Sequence, residues 1–209
     1  MESVETASRI DPELEALPEP RRPWRRMTLG TMAITALLAV GLVVRLGPLV
    51  TYGTSGGAPV ELGALTGVQP GEKDAGTWVH ATGALAGQGV EYQRPLDSDR
   101  YRLVQVEGNP RLWVELRISK EIEPEHYVAP NSFVGRLTPL ESAGLRHGAL
   151  PDAIQSVTGK APPSDAWLLI DGESPASTRW AAALSVLLIA FAAFNVWGLV
   201  HLLRPAREA

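Results

Sequence analysis

Residues 100–118 read RYRLVQVEGNPRLWVELRI, two stretches of period-two alternation around a Gly-Asn-Pro turn. Successive side chains of a strand point to opposite faces, so this pattern predicts a β-hairpin. On its first strand Tyr101, Leu103 and Gln105 share one face and Arg102, Val104 and Val106 the other. On the second, Leu112, Val114, Leu116 and Ile118 make an apolar face opposite Trp113, Glu115 and Arg117. The second strand therefore reads as having a core side and a wet side. The reversal is placed at Asn109-Pro110 after Gly108, where the proline argues against the simplest two-residue turn.

Further strand-like pieces flank this hairpin. TWVHATGAL begins at Thr77 and GVEYQRPL at Gly89; FVGRLTPL follows at Phe133, and DAWLLIDGESP supplies a closing buried strand from Asp165. Between the last two lie weakly helical segments, LESAGLRHG and PDAIQSVTG. Residues 51–76 are rich in Gly and Pro and read as a linker with one short turn of helix at VELGAL. The expected domain, residues 77–179, is a mainly β unit with a small helical insert. It is an OB-like small barrel or a curved antiparallel sheet, with a less regular α+β sheet as the competing arrangement.

Two apolar runs bracket that domain. Residues 27–44 carry no charge and continue past Arg45 as LGPLV, and residues 180–203 form a second run. Each is long enough to cross a hydrocarbon core of about 30 Å. Arg21, Arg22, Arg25 and Arg26 precede the first run and Arg204 and Arg207 follow the second, while only Arg45 and Arg179 flank the other ends. The arginine bias predicts two membrane spans, 27–50 and 180–203, with both termini cytoplasmic and the β-domain extracytoplasmic, in a bacterial inner membrane. The length of the first run favours an uncleaved signal anchor over a cleaved signal peptide. Residues 1–26 read as a flexible cytoplasmic tail, six of the first twenty being acidic, and 204–209 as a short second tail. Within the spans, Thr28, Thr31 and Thr35 share a face and Asn195 lies at a depth matching Thr35, which predicts a helix–helix contact of Asn195 with Thr35 or Thr31. Trp24, Trp180 and Trp197 fit rings at the membrane interface.

Chemistry is sparse. The chain has no cysteine and a net charge of −4 without a basic stripe, which excludes thiol chemistry and argues against nucleic acid as a partner. His80, His126 and His147 lack metal-ligand spacing and read as surface or edge residues. Glu121, Glu123 and Glu125 would share a face if extended and offer a place for a hard cation, against which stands a plain solvated acidic loop. GALAGQG at 83–89 lacks the lysine and hydroxyl of a phosphate cradle and reads as a strand connection. No catalytic, cofactor or metal residue is assigned. What remains is a possible partner surface of Tyr92, Arg94, Arg100, Arg102, Trp113 and Arg117, of the residue types enriched in binding hot spots. Pairing of Arg102 or Arg117 with Glu115 or Glu107 within the sheet is the alternative.

The expected function is non-enzymatic: two helices presenting an extracytoplasmic β-domain to a membrane or periplasmic protein, with the lipid bilayer as the other partner. A sensor or small-ligand and lipid-binding module is the alternative; an enzyme would require carboxylates and histidines to converge in space. The layout, one span at each end and a domain outside, is similar in topology alone to that of the Surfeit-locus oxidase assembly factors, a resemblance that implies a role in assembly.

Overall fold

The computed structural model describes residues 23–94, 97–121 and 127–204. Helix α1 spans Pro23–Thr54, the short helix α2 spans Leu150–Thr158, and α3 spans Trp180–Leu203. The strands are β1 Val60–Ala64, β2 Thr77–Thr82, β3 Leu85–Gln93, β4 Arg100–Val106, β5 Asn109–Ile118, β6 Ser132–Pro139 and β7 Trp167–Asp171. They form one curled sheet in the order β1-β2-β6-β7-β5-β4-β3. The architecture is thus two long apolar helices and a half-barrel sheet carrying one short helix.

The two long helices are antiparallel neighbours. Met32 meets Gly198 so closely that a Cβ there would lie 2.4 Å from Met32 Cε. Ala36, Ala39, Ala181, Ser185 and Ala192 are buried along the seam, small residues that let the backbones approach. The hydroxyls of Thr28, Thr35, Thr51 and Thr54 return to carbonyls four residues back, at 2.9 to 3.1 Å, and so cost no unsatisfied donor in an apolar helix. Away from the seam the surface is apolar and exposed, as at Leu37 and Phe194. Both helices are long and apolar enough to cross a membrane.

The sheet is mixed: β1 pairs parallel with β2, and β7 enters between β6 and β5, antiparallel to the first and parallel to the second. The expectation of an antiparallel sheet is corrected by these two parallel pairs. β7 pairs directly with β6, so the crossover that the parallel pair of β5 and β7 needs runs through β6 and the insert together. β7 reads WLLID because it is buried on both sides: Trp167 and Leu169 join one core, Leu168 and Ile170 the other. The first core, around Leu112, Val114, Leu116, Phe133 and Val79, fills the inside of the curl. The second lies under α2, whose Leu150 and Ile154 pack with Leu140 and Ala143 on Val90, Leu103 and Trp113. Gly159, at φ 71°, ends α2 and donates its N–H to Gln155 O.

Three local expectations differ from the structure. VELGAL gives strand β1, not a turn of helix, and the segment read as a linker therefore carries an edge strand followed by a 3-10 turn at Leu65–Gly67. The hairpin turns at Glu107-Gly108, with Gly108 at φ 77°, two residues earlier than Asn109-Pro110. Asn109 begins β5 instead, buried, with its amide donating to Leu65 O and Val68 O at 2.9 Å each. GALAGQG is not a bare connection; most of it belongs to β3, where a bulge separates Leu85 from Gly89.

Gly135 marks the tightest approach in the sheet: a Cβ there would sit 1.9 Å from Ile170 O, against backbone that cannot yield. Gly135→Ala is expected to lower stability by about 3 kcal/mol or more, beyond the ordinary cost of overpacking. Gly56→Ala, where nothing lies within 4 Å, should change it by less than about 0.5 kcal/mol in the same thermal or chemical melt.

Candidate functional site

Three segments meet at a carboxylate buried in β5. Glu115 is 1% exposed, on the face of the strand expected to be wet. One of its oxygens accepts from the Tyr92 hydroxyl and the Arg94 guanidinium at the end of β3. The other lies 2.9 Å from His147 Nε2, which comes from the 3-10 turn Leu145–His147 ahead of α2. His147 Nδ1 lies 2.9 Å from Ala143 O, which sets that nitrogen as the donor. Nε2 also stands 2.9 Å from Arg94 Nη2. The ring edge thus faces one acceptor and one donor. Arg94 stacks over the Tyr101 ring at 4.1 Å, and the Tyr101 hydroxyl donates to Asp97 at 2.5 Å.

Electrostatics follow from that burial. Desolvation pushes the Glu115 carboxyl up, but the hydrogen bond and charge of His147, then Arg94 and Tyr92, outweigh it and hold the group below the ordinary carboxylate range. Burial and the neighbouring carboxylate push Tyr92 well up, and burial with the Asp97 bond pushes Tyr101 up to about 12. Arg94 Nε and Trp113 Nε1 are buried without a protein partner. This cluster is a charged lock between the β3 end, β5 and the insert.

The predicted partner surface is therefore divided. Tyr92, Arg94 and Trp113 face inward, so the wet-side reading is corrected: α2 covers Trp113, which is 4% exposed, and Tyr92, Arg94 and His147 cover Glu115. Arg102 pairs with Glu91, and Arg117 with Asp99, not with Glu115 or Glu107. Arg100 is exposed beside an open depression that it lines with Gln93, Ser98 and Lys120. Thr35 Oγ1 stands 3.4 Å from Asn195 Oδ1, while its proton goes to Thr31 O at 2.9 Å and the Asn195 amide donates to Phe191 O at 2.8 Å. Thr31 contributes its carbonyl to this arrangement. Among the described residues no cluster of three histidines or acids is placed to hold a metal. Glu123, Glu125 and His126 lie outside the described residues, and Glu121 is exposed.

Three arrangements escaped sequence reasoning. His147, expected at the surface, is 5% exposed. His80 on β2 lies 2.7 and 2.8 Å from the Glu61 oxygens through Nδ1 and 3.0 Å from Ser132 Oγ through Nε2. The three come from β1, β2 and β6, and the edge strand that brings Glu61 was itself unread. The third is a joint at the end of α1. The buried Tyr52 donates its hydroxyl to Glu173 O at 2.5 Å; Arg136 lies over its ring at 5.5 Å and bonds Glu173 Oε2 at 2.9 Å. Gly53 fits against Thr178, whose Oγ1 would lie 3.0 Å from a Cβ. A tyrosine at the end of an apolar run, with Arg136 amid apolar strand residues, was the available signal.

Because the folded Glu115 group is held below its unfolded value, its stabilisation is present above about pH 4.3 and is lost as pH falls through the folded value. The melting temperature should accordingly drop on acidification below about pH 4. Glu115→Gln should lose about 3 to 5 kcal/mol at neutral pH by stranding Arg94, and should show a flatter acid limb in the same melts.

No protein-family model, curated protein or solved structure matches the chain.

Proposed function

We propose that the chain is an integral membrane protein whose two apolar helices span a bacterial inner membrane as a hairpin, with both termini cytoplasmic. Arg25, Arg26 and Arg204 at the far end of the helices from the sheet support that orientation. Its role is to hold the extracytoplasmic β-domain in a fixed attitude and present it to a protein partner, as an assembly or scaffolding component without catalysis of its own. The observation that carries this is the joint of Tyr52, Arg136 and Glu173. A domain on a free tether would need no such contact; this one is bonded to the last turn of α1 and to the segment that leads into α3. The sheet is covered over much of both faces, which leaves outward groups such as Arg117 and its Asp99 partner as the contact surface.

A photo-crosslinker placed at position 117 in intact membranes should capture a defined protein, and one placed at the buried position 113 should not. Tyr52→Phe, which keeps the ring and removes the bond to Glu173 O, should reduce that capture several-fold while the domain melts within about 1.5 kcal/mol of wild type. Capture that is absent at 117, or indifferent to the joint, would count against the scaffold.

The Glu61–His80–Ser132 chain supports a second reading, acyl transfer with Ser132 as nucleophile. Its Oγ would attack an ester carbonyl and pass its proton to His80 Nε2, which returns it to the leaving alkoxide, while Glu61 orients the ring. A fluorophosphonate probe should then label wild type and not Ser132→Ala or His80→Ala; no labelling of wild type removes this reading.

A further inference from the structure

We infer that the end of the sheet nearest the helical hairpin binds the phosphate of an anionic lipid headgroup, through Arg100, Lys120 and Ser98. The inference rests on the proposed membrane anchoring and extends it to the leaflet the domain stands on.

Strand directions place the site. β7 leads from Asp171 through the Pro175–Thr178 turn into α3, so its C-terminal end points to the hairpin. β5 is parallel to β7, and β4 is antiparallel to β5 and to β3. Gln93 at the end of β3, Arg100 at the start of β4 and Lys120 just past β5 therefore all lie at that same end. β5 also overshoots: Glu115 is level with Ile170, so Ile118 stands about 10 Å farther toward the hairpin at 3.3 Å per residue.

Helix lengths place the bilayer surface at the same level. Arg26 to Arg45 spans about 28 Å at 1.5 Å per residue, close to the hydrocarbon thickness. The turns of α1 beyond Arg45 then pass through the headgroup layer, and Tyr52 joins the sheet at its outer side. Trp180, half exposed and covered by the Arg146 guanidinium at 5.4 Å, stands at the same boundary.

Charge completes the argument. In this part of the sheet Arg94, Arg102 and Arg117 are each neutralised by a carboxylate, Glu115, Glu91 and Asp99. Asp97 is occupied by the Tyr101 hydroxyl, and the Glu121 carboxylate accepts from Ser119 Oγ at 3.5 Å. Among the described residues Arg100 and Lys120 have no such partner, and they line an open depression of about 440 Å³ with Gln93 and Ser98. The Gln93 amide is committed to Asp97 O at 3.0 Å. The groups left to meet a ligand are one guanidinium fork, one ammonium and one hydroxyl, a donor set suited to phosphate oxygens.

The full chain would be reconstituted in mixed phosphatidylglycerol and phosphatidylcholine bilayers, and the lipids retained after detergent exchange counted by native mass spectrometry. Wild type should retain phosphatidylglycerol in preference to phosphatidylcholine. Arg100→Ala with Lys120→Ala should cut that preference about 30-fold, taking about 1 kcal/mol per cation near the surface. Arg100→Glu alone should do the same in part, and both variants should melt as wild type because the side chains are exposed. An anchored wild type with no preference, or a double variant that keeps it, overturns the inference and leaves the anchoring intact. Loss of the retained lipid to millimolar inorganic phosphate assigns the site to free phosphate and overturns the lipid source. Release of the chain from membranes by alkaline extraction overturns the anchoring and this inference with it.

Discussion

A carboxylate cannot remain charged in an apolar interior unless its oxygens are fully occupied, and Glu115 imposes that condition on half the domain. It is met only when the end of β3 delivers Tyr92 and Arg94 and the insert delivers His147. Those three segments are far apart in the chain. Once His147 is turned inward, the residue before it, Arg146, is turned outward over Trp180 at the start of α3. One buried charge thereby fixes the insert on the sheet and brings the insert to the helical hairpin. Apolar side chains in place of the cluster would match its stability but would not discriminate among the ways a small amphipathic helix can slide on an apolar sheet face.

The joint at Tyr52 works by a similar economy. A tyrosine at the end of an apolar helix supplies a large ring for packing and a single donor, and the donor goes to a backbone carbonyl of the segment that leads into α3. Arg136 reaches the same point from β6, bonding Glu173 and covering the ring. Both helices and the sheet are therefore tied within a few ångströms of one another, beside the close fit of Gly53 and Thr178. Pro48 stands one turn before Tyr52 inside α1 and removes an N–H that would bond the Val44 carbonyl.

What was legible in the chain followed from short-range periodicity. The alternation in 100–118 does make β4 and β5, the uncharged runs make α1 and α3, and the WLLI run makes a strand buried on both sides. What failed depended on what lies across space. Trp113 and Glu115 alternate with apolar residues exactly as a wet face would, and only α2, contributed some forty residues later, makes that face a second core. The parallel pairs were illegible for the same reason, since period two carries no information about strand direction. Glu61 was missed because β1 has a weak, Gly-interrupted pattern, and without β1 the His80 ring has no carboxylate beside it. The Asn195 depth argument needed only the fixed rise of a helix, and it located Asn195 opposite Thr35 although the hydroxyl proton goes to the helix's own backbone.

A sheet with two cores has little flat face left for recognition, and its edges are poor substitutes. β1 is five residues long with a register shift between Glu61 and Gly63, and β3 is broken by a shift between Leu85 and Gly89. Both irregularities disturb the row of free N–H and C=O groups that an incoming strand would need, which is how natural sheets discourage edge pairing. For the proposed docking role, what is left are the ends of the strands and the loops between them. At the hairpin end these carry Arg100, Lys120 and the paired Arg117, on a sheet whose strands β3 and β5 are tied to each other and to the insert by the Glu115 cluster. Groups that meet a charged surface gain most when their backbone is already ordered, because no loop entropy is then lost on contact. The buried charge and the exposed ones are in this sense a single arrangement: the first ties together the strands beyond whose ends the second stand.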